Sequence, residues 1–143
     1  MKLSLTELEN FAKAFVAELP KSPGVQAHVV GLKGELGAGK TTFVQMVANE
    51  LGITDSVTSP TFVLARVYPI DHPPFERFVH IDAYRLSLED KDTIGWRTYV
   101  EDPRNFIMVE WPEHLRDFPT DAATLSFVVV DQHTRRLNHD QKK

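Results

Sequence analysis

The sequence predicts an α/β fold, with buried parallel strands and helices packed against them. Three observations predict it. A glycine-rich turn sits between an apolar, largely β-branched run and an amphipathic stretch of helical period. Two further short apolar runs, "FVHID" and "FIMVE", each end in an acid. And 143 residues, with 42% hydrophobic and 25% charged content, suit one globular domain with a sizeable core.

Along the chain the elements follow in order. Leu8, Phe11, Ala12, Phe15, Val16 and Leu19 recur at i, i+3, i+4 and i+7 and mark a first helix. Two capping boxes compete at its start, Ser4 with Glu7 and Thr6 with Glu9, and "PKSPG" ends it. "VQAHVVGLKG" reads as a strand. "TTFVQMVANELG" reads as a helix with Phe43, Val44, Val47, Ala48 and Leu51 on one face and Gly52 just past its end. "VTSPTFVLARVY" gives a loop and then a strand, "IDHPP" a turn, and "FERFVHIDAYRL" a second strand ending near Asp82, so that the two pair as a hairpin. "SLEDKDTIGWRTYVED" reads as helix and loop, "NFIMVEW" as a short apolar strand, and "ATLSFVVVD" as a last strand. A single domain is expected over 1–132, followed by a polar, loose tail over 133–143. Its basic residues Arg135, Arg136, Lys142 and Lys143 read as a solvated terminus rather than a contact to nucleic acid.

Composition narrows the function. The chain has no cysteine, which removes disulfides, thiolate metal sites and a cysteine nucleophile. A net charge of −4 argues against broad non-specific nucleic-acid binding. "MKLSLTELENFAKAF" lacks the apolar core of a signal peptide, and no apolar run approaches membrane length, so a cytoplasmic protein is expected.

The chemistry lies in "VVGLKGELGAGKTT", residues 29–42. Gly34, Gly39, Lys40 and Thr41 satisfy G-x-x-x-x-G-K-[ST], the phosphate-binding P-loop pattern, in its proper setting between strand and helix. The glycines, Gly37 included, let the backbone approach phosphate closely. The amides of Gly34, Glu35, Leu36, Gly37, Ala38 and Gly39, and the helix start at Lys40, Thr41 and Thr42, favour an anion. Lys40 is placed to reach the terminal phosphates, and the Thr41 hydroxyl to bind Mg²⁺. Such chemistry also needs an acid at a neighbouring strand end, and Asp82 and Glu110 both qualify. Thr61, in "SPTF", is a candidate γ-phosphate sensor, although on pattern alone it reads as turn chemistry from Ser59 and Pro60. His80 reads as a structural strand histidine, and Trp111 as core or the edge of the site. No guanine-reading N-K-x-D is present, "DTIG" follows a charged stretch rather than a strand, and no arginine-rich kinase lid is visible. An ATPase or nucleotide switch is the best class.

"GELGAGKTT", "SPTF", "HIDAYRL" and "EWPE" occur in the order and spacing of the bacterial TsaE (YjeE) family, which the chain resembles from its first helix to about Pro112. Ala83 stands where that family often has leucine, a loss of volume without loss of a chemical group. The resemblance implies a P-loop NTPase-like three-layer α/β fold, with a mixed, mainly parallel central sheet flanked by helices. It implies ATP and Mg²⁺ as ligands, with residues 37–42 on the phosphates and Thr41 and Glu110 at the metal. Asp82 becomes an active-site acid that supports the metal shell or orients water, Thr61 lies in a switch-like loop, and Trp111 lies beside the nucleotide. The implied role is hydrolysis of ATP to reset a TsaB–TsaD complex that makes threonylcarbamoyladenosine in tRNA, with tRNA met only through that complex. A nucleotide-gated binding module and a small kinase remain as rivals.

Overall fold

A computed structural model of the protein describes residues 2–35, 37–54, 65–84, 95–115, 117–129 and 134–141. Among them seven strands form one sheet: β1 (Lys2–Ser4), β2 (His28–Lys33), β3 (Ala65–His72), β4 (Phe75–Asp82), β5 (Asn105–Glu110), β6 (Ala123–Val129) and β7 (Thr134–Gln141). Their order is β1-β7-β6-β2-β5-β4-β3. The centre is parallel, with β2 between β5 and β6 and β4 beyond β5. The flanks are antiparallel, through β3 with β4, β7 with β6, and β1 with β7. The sheet is therefore mixed and mainly parallel, with β3 and β7 alone running against the rest.

Every residue of β5 is buried, which is why "NFIMVE" reads as a continuous apolar run rather than an alternation. Alternation is still there, hidden in which face each side chain serves. Phe106 and Met108 join Val30, Leu32, Phe78, Leu125 and Phe127 under α1 (Leu5–Ala17) and α2 (Lys40–Glu50). Ile107 and Val109 join Val29, Val79 and Ile81 on the opposite face, against α3 (Trp96–Val100) and the segment through Leu115. Three layers result. Phe43 of α2 meets Phe11 and Phe15 of α1 at ring separations of 5.8 and 5.6 Å, which locks the two helices together.

Of the two capping boxes, the structure uses Ser4 with Glu7; both reciprocal bonds are present at 3.2 Å. Ser4 ends β1 in extended backbone, as an N-cap requires, whereas Thr6 already lies inside the helix. Two expectations are corrected. "IDHPP" is not all turn: β3 continues to His72 and only Pro73–Pro74 turns, joined by a cis peptide. Pro69 is tolerated because β3 is an edge strand, with a register shift between Pro69 and His72. The loose tail is also replaced. Residues 134–141 form β7, which pairs with β6 along its length and with β1, and Leu137 is fully buried.

Below the sheet, Asp102 gathers Arg77 and Arg104, and Arg77 Nε also donates to Asn105 Oδ1 at 2.7 Å. The Arg104 side-chain bonds, then its backbone N–H, then the two charges hold the Asp102 carboxyl below its ordinary value. A depressed carboxylate stabilises the fold above its unfolded pKa and loses that contribution as pH falls through the folded one. Asp102→Asn is expected to cost about 1 kcal/mol or less at pH 7, since the pairs are solvent-accessible. The deficit should vanish below the carboxylate range; urea titrations at neutral and acid pH measure it, and an equal deficit at both would rule out the charge origin. Among the described residues no helix is long and apolar enough to cross a membrane.

Candidate functional site

The site is built where β2, β4 and β5 end under the start of α2. In parallel register Leu32 lies opposite Glu110, and Asp82 lies opposite Glu110 from the other side. Strand alternation places His80, Asp82 and Glu110 on the face that α2 covers. The loop from Gly34 to Gly39 then turns the chain over these strand ends; Leu36 lies outside the described residues. Gly34, Gly37 and Gly39 all have positive φ, at 144°, 80° and 101°. Glu35 is exposed, and its carbonyl accepts from the Ala38 amide at 3.1 Å; Ala38 itself is buried.

Helix α2 begins at Lys40 with Gly39 as its N-cap, a residue with no side chain to cap the first amides. Those donors and the helix dipole are an anion site in waiting. Lys40 is 3% exposed. Its ammonium donates to the Gly34 carbonyl and lies 3.8 Å from the centre of the Trp111 ring, a cation–π contact. Burial lowers its pKa, against the pull of Glu110, Asp82 and Glu113, which raises it. A desolvated cation with a carbonyl and an indole for company suits an arriving anion.

Thr41 turns its hydroxyl onto Glu110 and donates to both carboxylate oxygens, at 3.0 and 3.1 Å. Glu110 is 3% exposed and also meets His80 Nε2, 2.6 Å from Oε2. Asp82 is half-buried beside it, and its Oδ1 accepts from the Tyr84 amide at 3.0 Å. Hydroxyl and carboxylate oxygens are the ligand set of a hard divalent cation. Among the described residues no group of three or more acids or histidines makes a metal cage by itself. An ion here would need oxygens from phosphate or water to complete its shell. Thr42, next in α2, is exposed.

Trp111 follows β5 with φ 61° and ψ 53°, a left-handed conformation unusual for a bulky residue. Its amide donates to the Leu32 carbonyl at 3.1 Å, which carries the chain across the end of β2 and the indole onto Lys40. Pro112 then starts a short 3₁₀ turn packed on Gly31, where a Cβ would come within 2.8 Å of Pro112 Cγ and 2.9 Å of Phe118 Cζ. His114 stacks on Trp111 at a ring separation of 5.3 Å, and Tyr84 packs against Trp111 at a tilt, 5.0 Å away.

The structure thus brings together the loop, Lys40, Thr41, Asp82, Glu110 and Trp111. Thr61 lies outside the described residues. His80, which the sequence marks as a structural strand histidine, is buried in β4 and bonded to Glu110, a contact the sequence does not show. The signal that points to it is its spacing two before Asp82, which places both on one face of β4.

Comparison with known proteins places the fold and the family. A crystal structure of Bacillus subtilis YdiB superposes on 100% of the chain and 86% of its own length with a TM-score of 0.70 at 24% identity, a likeness of fold. The tRNA threonylcarbamoyladenosine biosynthesis protein TsaE of Streptomyces coelicolor is 47% identical over 89 residues, covering 59% of this chain; the match spans 57% of the relative's length. The same-named protein of Borreliella burgdorferi is 38% identical over 85% of this chain and 84% of its own length. That of Mycobacterium bovis is 35% identical over 80% of this chain and 68% of its own. The sequence model of the family described as threonylcarbamoyl adenosine biosynthesis protein TsaE matches residues 3–138, from β1 through the strand that replaces the expected tail, and the chain belongs to that family.

Proposed function

We propose that this chain is a Mg²⁺-dependent ATPase of tRNA threonylcarbamoyladenosine synthesis, which hydrolyses ATP at the β–γ bond to reset a TsaB–TsaD complex between turnovers. The observation that carries the reading is the Thr41 hydroxyl seated on the buried Glu110 carboxylate, beneath an uncapped helix start and a buried lysine. A P-loop held by packing alone would not need an acid at that point. Family membership supplies the pathway, and the oxygen donors suit magnesium.

On this reading each residue has a definite task. The amides of the loop and of the first turn of α2 bind phosphate oxygens. Lys40 exchanges the Gly34 carbonyl and the Trp111 ring for phosphate, and its charge stabilises the transferring group. Thr41 and Glu110 hold the metal, directly or through water; when bound, magnesium neutralises charge developing on the phosphates. Asp82, level with Glu110, orients the attacking water or supports the metal shell. Trp111 closes the site over Lys40 and excludes water. A partner supplies further positive charge in trans, so the isolated chain turns over slowly.

The test is phosphate release from ATP by the purified chain, alone and with TsaB and TsaD, with Lys40→Ala as the blank. Slow release that rises with the partners and disappears in the blank is expected. Release without any acceptor counts against a kinase. Tight ATP binding with no release under any condition would replace the ATPase with a nucleotide-gated binding module.

A further inference from the structure

The buried histidine on β4 remains unexplained by phosphate binding. His80 lies opposite Met108 in register, one pleat before the Asp82–Glu110 pair, so its ring reaches Glu110 on the diagonal. Its side chain is wholly buried, and Nε2 lies 2.6 Å from Glu110 Oε2. A carboxylate only accepts, so Nε2 carries the hydrogen. The other ring nitrogen, Nδ1, makes no hydrogen bond among the described residues. Around it the same face is filled by Phe78, Phe106 and Met108.

That arrangement is wasteful for packing. Phenylalanine or leucine would fill the volume without burying an unpartnered nitrogen. Among the described residues the one polar commitment of the ring is Glu110. The last torsion of a glutamate is soft and broad, so a carboxylate that must face a ligand needs a second hold. Thr41 reaches both oxygens from above, whereas His80 engages Oε2 alone and so sets the plane of the carboxylate.

We propose that His80 is a positioning residue: its Nε2–H fixes the Glu110 carboxylate in the orientation that binds the metal. This rests on the reading that Glu110 is a metal-binding acid. Partners of this kind behind metal ligands are worth about 10- to 100-fold in metal affinity or activity when removed.

The experiment uses the full chain, with His80→Phe to delete the donor at similar volume and His80→Gln to return an N–H near the place of Nε2. Proton NMR of the ligand-free parent is expected to show a slowly exchanging imidazole N–H that is lost in His80→Gln and displaced in Glu110→Gln. Calorimetric titration with ATP in EDTA should give affinities within about twofold across the parent and the two His80 variants, because the cradle is untouched. The Mg²⁺ concentration for half-maximal ATP turnover should rise about 10- to 100-fold in His80→Phe, with KM for ATP little changed, and fall back part of the way in His80→Gln. A Mg²⁺ requirement equal to the parent's in folded His80→Phe overturns the proposal while leaving the ATPase reading intact. So does an equal defect in both variants. If His80→Phe does not fold, His80→Gln and the imidazole resonance decide, and absence of that resonance overturns it. A parent with no Mg²⁺-dependent turnover, alone or with TsaB and TsaD, overturns the ATPase reading, and this proposal with it.

Discussion

Lys40→Ala is expected to weaken ATP binding by about 100-fold or more, while leaving the melting temperature of the free chain nearly unchanged. The two halves of this expectation have one cause. In the free chain the ammonium is buried, its pKa is lowered by desolvation, and its partners are a carbonyl oxygen and a ring face. Glu110, Asp82 and Glu113 offset part of that penalty from a distance. The balance of a desolvated charge against modest partners is small, so truncation costs little stability. With phosphate present the same ammonium makes charge-assisted bonds, each worth about 1.5–3 kcal/mol, or roughly 10- to 150-fold in affinity. Calorimetric ATP titration and thermal melts of both chains separate the two effects. A variant that binds ATP like the parent would sink the phosphate-cradle reading. One that fails to fold would show instead that the Gly34 and Trp111 contacts hold the loop.

How much of this was legible in the sequence depended on whether the determinant was local. The P-loop pattern lies within eight consecutive residues, 34–41, and its meaning follows from backbone and charge over that span. Asp82 and Glu110 were visible as acids ending apolar runs. Their adjacency was not, because it comes from the register of strands separated by α3 and the residues around it. The contact of His80 with Glu110 was hidden for the same reason: its partner is thirty positions away, and strand pairing alone brings them together. Strand β7 was hidden by its own composition. "TRRLNHDQ" is polar except for Leu137, since that side chain reaches the core while Arg136 and Asn138 face water. β1 has three residues and one core side chain, Leu3, too short for any period to appear. Trp111 illustrates a last kind of blindness. Its placement over Lys40 depends on a left-handed backbone that nothing about tryptophan suggests.

Gly34→Ala is expected to destabilise the chain by about 2–5 kcal/mol and to abolish tight ATP binding, whereas Gly37→Ala costs only about 1 kcal/mol. Both glycines have positive φ, so both substitutions strain the backbone. What separates them is space. A Cβ on Gly34 would lie 2.6 Å from the Phe127 carbonyl oxygen and 3.3 Å from Ala38 Cβ; on Gly37 it would meet nothing within 4 Å. Phe127 cannot retreat, because it is 2% exposed, its strand pairs with β7 at that residue, and its ring packs on Phe43 at 5.6 Å. The loop must move instead, and it takes the Gly34 carbonyl with it, the acceptor that parks Lys40. Stability and binding therefore fall together at Gly34. At Gly37 binding falls with little loss of stability, through crowding of the approaching phosphate. Urea denaturation and ATP titration of the two variants measure the contrast. If Gly34→Ala unfolds at nearly the same urea concentration as Gly37→Ala, β6 yields to the methyl group, and the close approach of loop to strand is not what holds the cradle in shape.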